Sequence, residues 1–180
     1  MPRIRYLSHS AFLLETAEKK LLFDPFFTGN PKAPKDVMSI RPDYILVSHG
    51  HSDHVGDAVE ISKSTGAVVI APFELALWCG NQGAKIHGMH IGGGWNFDFG
   101  RVKLTIAHHG SAVGPDERLE YSGIPCGFLV TSEGKTLYHA GDTGLFYDMK
   151  LIGEMNAIDF ALLPIGANYT MGITDAVKAV

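Results

Sequence analysis

Cysteine is nearly missing from this chain: Cys79 and Cys126 are the only two among 180 residues. Their separation excludes a C-x-x-C pair and a disulfide framework, so both read as small buried hydrophobes. Charge is scarce as well, at 19% of residues, and the formal net charge of −4 leaves no basic footprint for nucleic acid. No apolar run approaches the ~18 residues that a membrane-crossing helix needs. Met1-Pro2-Arg3-Ile4-Arg5-Tyr6 runs straight into strand-like alternation, without a secretory hydrophobic segment. Internal repeats and low-complexity tracts are lacking too. What remains is one domain, expected in a reducing cytoplasm and without nucleic-acid or membrane partners. A hydrophobic share of 46% is ample for its core.

Histidine, by contrast, is concentrated. Ser48-His49-Gly50-His51-Ser52-Asp53-His54 directly follows the apolar run Tyr44-Ile45-Leu46-Val47, which reads as a buried strand. Residues two apart in an extended segment project to one side, so His49 and His51 can converge on one ion. Once the chain turns, Asp53 and His54 can face a second ion beside the first. Imidazole suits zinc, iron, nickel or copper, and the carboxylate adds a harder donor that manganese also accepts. A plain polar turn would need no such set of titratable side chains.

Periodicity places this loop in a layered fold. Strands are expected at Ile4–Leu7, Ala11–Thr16, Lys20–Phe23, Pro42–Val47 and Ala67–Ala71. A helix is expected from Gly56 to Ser64 with Gly66 as its C-terminal cap, and another from Pro72 to Cys79. Trp95, Phe97 and Phe99, then Val102, Leu104 and Ile106, alternate with polar residues about a turn at Gly100. Phe128–Thr131 and Thr136–Tyr138 flank Glu133-Gly134 as a hairpin; Leu145–Met155 has helical spacing and Ile158–Leu163 reads as a buried strand. The fold class is α+β, or α/β, in a sandwich of two sheets with helices outside.

Further donors stand where strands are expected to stop: His9, the pair His108-His109, and His139-Ala140-Gly141-Asp142-Thr143. With the histidine loop, these motifs resemble the metallo-β-lactamase superfamily. Phe23-Asp24-Pro25-Phe26, Gly29-Asn30-Pro31, Val55-Gly56-Asp57, Ala71-Pro72-Phe73-Glu74, Met89-His90-Ile91-Gly92-Gly93 and Pro164-Ile165-Gly166 narrow the resemblance. They look like a group of small metal-dependent hydrolases related to the L-ascorbate-6-phosphate lactonases.

The resemblance covers the whole chain and implies an αββα sandwich with the site at one edge, between the sheets. It implies that His49, His51 and His109 bind a first metal; His109 is chosen over His108 because the family's ligand immediately precedes a Gly or small residue. Asp53 and His54 would bind a second, Asp142 would bridge both, and Asp24 would orient a ligand imidazole. The cofactors implied are two divalent ions, zinc first, with manganese, nickel or iron as alternatives. Family members complete the second metal with a late histidine, whereas the last histidine here is His139. Thr174 reads as a helix N-cap with no stop signal after it. The expectation is a single domain over residues 1–180 that lacks a C-terminal strand, the final histidine and a closing helix.

Two divalent ions roughly 3.5–4 Å apart can turn a bridging water into hydroxide, with Asp53 or Asp142 accepting its proton. The expected activity is hydrolysis of an ester, lactone, amide or phosphodiester bond in a small molecule. His9, near the mouth of the site, either hydrogen-bonds an oxyanion there or is structural. His139 either holds the Gly141-Asp142 turn or meets substrate. Asn168, Tyr169, Thr170 and Gly172 form a polar loop that can line the pocket. His87 and His90 read as exposed residues of a glycine-rich loop, and Trp78 and Trp95 as core or interface. Two other readings stay open: a mononuclear-iron oxidoreductase of the same superfamily, and a metal-binding protein with a decayed site. Uncovered apolar surface would favour a homo-oligomer.

Overall fold

The computed structural model describes residues 2–180 apart from the Met38 side chain; Met1, the first residue of the expected domain, lies outside them. Strands β1 (Arg3–Ser8), β2 (Ala11–Glu15), β3 (Lys20–Phe23), β4 (Tyr44–Leu46), β5 (Val68–Pro72) and β6 (Lys85–Met89) form one sheet in chain order. The first three pair antiparallel, and β3 through β6 pair parallel. The second sheet begins with β7 (Gly94–Phe97) and β8 (Gly100–Ile106). A two-residue pair, β9 (Ala112–Val113) and β10 (Glu120–Tyr121), interrupts it. Then come β11 (Cys126–Ser132), β12 (Lys135–His139) and β13 (Phe160–Leu162), giving the order β13-β12-β11-β8-β7.

Alternation along the strands decides which residues meet. Leu21 and Phe23, Leu46 and Ile70 face Leu104, Phe128, Val130 and Leu137 across the sandwich interior. Their sequence neighbours point the other way: Ile45, Val47, Val69 and Ala71 pack under helices α2 (Ala58–Thr65) and α3 (Phe73–Asn81). On the second sheet Leu129 and Tyr138 turn outward against Met149 of α4 (Asp148–Met155) and Ala176 of α5 (Ile173–Ala179). The central strands are thus buried on both faces, which is why they read as continuous apolar runs. The result is the expected four layers, α-β-β-α. Phe23 and Phe128 close the interior edge to face, with ring centroids 6.2 Å apart. Burying each such ring is worth roughly 1.5–3 kcal/mol, and Phe128→Ala should cost about 3–5 kcal/mol.

Local signals explain most boundaries. Gly66 closes α2 with a φ of +81°. Glu133 and Gly134 take φ of +49° and +72°, the left-handed pair that a two-residue hairpin turn requires. Five expectations need correction. The strand expected to be buried over Ile158–Leu163 is β13, shorter and at the sheet edge, with Phe160 and Ala161 exposed because only β12 pairs with it. His87 lies in strand β6, not in a loop, because the segment pairs with β5 from Lys85 to Met89. A short helix, α1 (Ser52–Val55), forms within the histidine loop itself. The helix expected from Leu145 begins only at Asp148, and α5 starts at Ile173 with Gly172, not Thr174, as its N-cap. Among the described residues no helix is long and apolar enough to cross a membrane.

Candidate metal centre

Two parallel strands end side by side and build the centre. β3 delivers Asp24, whose amide donates to Leu46 O at 3.0 Å, and β4 delivers Val47, whose amide donates to Ile70 O at 3.0 Å. Asp24 is fully buried and accepts from the Ser48 amide at 2.8 Å and the Ser48 hydroxyl at 2.7 Å. Its Oδ2 also lies 3.0 Å from His54 Nδ1. Since the Ser48 hydroxyl proton goes to Asp24, Ser48 Oγ accepts from His49 Nδ1 at 2.9 Å. One carboxylate therefore orients two imidazoles alike, each with Nδ1 protonated and Nε2 turned inward.

Those Nε2 atoms converge with other donors. His49 Nε2 stands 3.0 Å from His51 Nδ1, which stands 3.3 Å from His109 Nε2. On the far side, His54 Nε2 lies 3.3 Å from Asp142 Oδ2, and His109 Nε2 lies 3.8 Å from the same oxygen. Donor atoms of His49, His51 and His109 lie mutually within 4.8 Å, as do those of His49, His54 and Asp142 and those of His9, Asp53 and His54. The structure thus brings all six expected ligands and His9 into one cluster.

Charge in this cluster is strongly perturbed. Burial and the neighbouring imidazoles push His49 well below its ordinary pKa, so its ring stays neutral. Burial also lowers His109, reinforced by His51 and opposed by Asp142. At His54 burial disfavours charge, but the Asp24 and Asp142 carboxylates outweigh it and lift its pKa to about 10. Burial works against ionised Asp142, yet His54 and His109 hold its carboxyl below the usual range. Positive charge is therefore favoured on the side of His54 and its two carboxylates, and disfavoured at His49 and His109. Whether the residues fit a cation turns on one atom: His54 Nε2 is buried, makes no well-formed hydrogen bond, and faces the Asp142 carboxylate at 3.3 Å. A transition metal would displace the proton from that atom, since a deprotonated Nε2 aimed among imidazole and carboxylate donors is what such a metal takes.

The other expected residues separate clearly. His108 is exposed and stacks on Phe146 at 4.6 Å, while its amide donates to Thr143 Oγ1 at 2.9 Å. His139 is buried, stacks on Phe23, and accepts the Gly141 amide on Nδ1 at 3.1 Å, so it holds the turn that presents Asp142. Trp78 packs beside the helices, whereas Trp95 is 56% exposed and lies against His87.

A cavity of about 640 Å³ opens over the cluster, with His51, Asp53, His109 and Asp142 at its floor and Tyr6, Phe12, Leu163, Ile165 and Tyr169 in its walls. Thr170 lines it too, but Asn168 and Gly172 do not. Sequence reasoning missed Ser48, Ser111 and Ser122. Ser111 Oγ accepts the Gly50 amide at 3.1 Å and sits 2.7 Å from Ser122 Oγ, bracing the loop from behind. A Cβ on Gly50 would collide with Ser122 Oγ and come within 2.9 Å of Ala112 O. Serines this common carry no signal without a known neighbour; Gly50 between two histidines was the available clue.

Comparison with known proteins gives the family and the fold. The model of the beta-lactamase superfamily domain matches residues 3–180. A metal-dependent hydrolase from Desulforamulus reducens is 58% identical over 179 residues, covering 99% of this chain and 78% of the relative. The solved structure of Igni18, a metallo hydrolase from the archaeon Ignicoccus hospitalis, superposes with a TM-score of 0.87 at 36% identity, over 99% of this chain and 76% of that one. An isothiocyanate hydrolase from Delia radicum gut bacteria reaches a TM-score of 0.72 at 22% identity, over 99% and 79% of the two chains, a likeness of fold alone.

Proposed function

Because the chain belongs to the metallo-β-lactamase superfamily and is a metal-dependent hydrolase, we propose that it works with two divalent cations on a small, uncharged ester, lactone or amide. His49, His51 and His109 hold one cation; Asp53, His54 and Asp142 hold the other, with Asp142 facing both. The convergence of six imidazole and carboxylate donors carries this reading: those of His49, His51 and His109 lie mutually within 4.8 Å, as do those of His49, His54 and Asp142. Bound there, the cations supply Lewis acidity and lower the pKa of water towards neutrality.

The chain's own residues do the rest. Asp24 holds His54 directly and His49 through Ser48, so both rings meet the reaction already oriented. Asp53, partly open to the cavity, and Asp142 are placed to accept the proton that water gives up. The walls of Phe12, Leu163, Ile165 and Tyr169 pack the apolar part of the substrate and exclude water. The apolar walls suit a neutral substrate, since among the described lining residues a phosphodiester would find positive charge only at the cations themselves.

The test is hydrolysis by the metal-depleted chain reconstituted separately with zinc, manganese, nickel and iron. Neutral aryl esters, lactones and amides would be assayed beside a phosphodiester of matched leaving group. Metal-dependent turnover of a neutral substrate is expected. Turnover unaffected by metal depletion would end the reading, and a preference for the phosphodiester would end the substrate assignment.

A further inference from the structure

Tyr6 faces inward and yet is left open. Its neighbour Leu7 turns outward and is buried with Leu13 and Leu22, so Tyr6 takes the face that Leu14 and Phe23 give to the sandwich interior. There it keeps 62% of its surface exposed, whereas Leu14 keeps 3%. A large aromatic side chain uncovered on a face that is otherwise core is the exception that asks for a cause. The register of the β1–β2 pair breaks just beyond it, between Tyr6 and Ser8, a device that re-aims side chains beside binding sites.

From Tyr6 a row of rings leads down to the donor cluster. Tyr6 and Phe12 are cross-strand partners with ring centroids 5.1 Å apart, and Phe12 meets His139 edge-on at 5.8 Å. His139 in turn accepts the Gly141 amide beside Asp142. All three rings line the cavity over the centre. The second sheet contributes Tyr169 to the same cavity, 82% exposed, on the loop that follows β13. That loop is not slack: Ala167 takes a φ of +70°, and its amide donates to Met171 O at 3.2 Å. Met171 is buried, and its amide donates to Thr143 O at 2.8 Å, which ties the loop to the residue after Asp142. A left-handed alanine that holds an open ring in register with the centre stores strain for a ligand, not for packing.

We infer that the substrate carries a planar aromatic ring, seated against the Tyr6–Phe12 pair with Tyr169 as its contact from the second sheet, and joined to the scissile carbonyl by a short linker. This rests on the hydrolase reading above and narrows its substrate. Aromatic rings that meet offset or edge to face gain roughly twofold to tenfold per pair beyond the area they bury. A saturated ring of similar volume buries like area without that gain. Tyr6 and Tyr169, open in the free chain, both lose exposed surface when such a ring enters. Tyr6, Phe12 and Tyr169 are thereby specificity residues, and none of them touches the donor cluster.

The test uses the metal-reconstituted full chain and matched neutral esters: ethyl phenylacetate against ethyl cyclohexylacetate, and benzyl acetate against cyclohexylmethyl acetate. In at least one pair the aromatic member should have the higher kcat/KM by about tenfold, carried mainly by KM. Tyr6→Phe should keep that preference. Tyr6→Leu, which retains apolar bulk on the strand but no ring, should reduce it roughly threefold, as should Tyr169→Leu. Trp95→Leu, exposed and outside the cavity, serves as the control, and the melting temperature of each variant reports folding. No preference above about twofold in either pair would overturn the inference and leave the hydrolase reading intact. So would a preference that survives Tyr6→Leu unchanged, or an equal loss on aromatic and saturated esters, which would assign Tyr6 to the fold. If no ester is turned over, calorimetric titration with phenylacetamide separates the two readings. Binding weakened roughly threefold by Tyr6→Leu but not by Trp95→Leu keeps the ring site and removes the hydrolase reading; equal binding by both removes the ring site as well.

Discussion

The two donor groups meeting in the cavity are held in opposite ways. His49, His51 and His109 offer nitrogen alone; His49 is fully buried, and burial keeps the His49 and His109 rings towards their neutral form. Asp53, His54 and Asp142 mix one buried imidazole with two carboxylates, and the Asp53 side chain remains 45% exposed. The first group offers a dication good ligands but no charge; the second offers charge and an open side. Borderline metals are favoured at the first, harder ones are better tolerated at the second, and exchange with solvent should be faster there.

The largest expected effect breaks the comparison at its centre. His51→Ala removes a donor from the nitrogen group and should lower kcat/KM by at least about 100-fold while the domain stays folded, as activity and circular dichroism would show. Unchanged turnover would mean that the nitrogen group is not the working one. Asp24→Asn reaches both groups through a single residue. It should weaken metal binding about 10–100-fold, more at the carboxylate group, where it touches a ligand directly, than at the nitrogen group, where it acts through Ser48. Equal weakening at both, measured by competitive titration, would remove the distinction. If the proposed two cations are bound, a chelator should strip them in separate phases, the one at the carboxylate group first; simultaneous loss would show the groups to be a single cooperative unit. The smallest effect concerns the thiols, which belong to neither group. Burial raises Cys79 to about 12 and Cys126 well above its ordinary value, so a thiol reagent at pH 8 should leave metal content and activity unchanged. Rapid labelling of the folded chain would bring a cysteine into the comparison.

How far the sequence could be read follows the same division. Two members of the nitrogen group were legible because His49-Gly50-His51 follows a short apolar strand within one window, whereas His109 lies 58 residues from His51 and was singled out from His108 only by the family resemblance. The four layers were legible because the central strands are apolar on both faces and the hairpin carries its turn residues. His9 was harder: its position depends on a break in strand register and on two left-handed residues, neither of which has a pattern. The link from Asp24 to His54 spans 30 residues and depends on β3 and β4 ending side by side. Strand β6 was hidden because Gly88 interrupts its apolar pattern and its pairing partner, not its own composition, makes it a strand.

Gly50 carries one more consequence. Because no side chain fits between it and the Ser111–Ser122 brace, the separation of His49 and His51 is gauged from outside the centre by residues that touch no ligand. An engineer who wished to change the preferred metal would therefore have a dial at Val113 and Ser122. Bulk added there would shift the loop as a body and reset the bite of the two imidazoles, with every donor left in place.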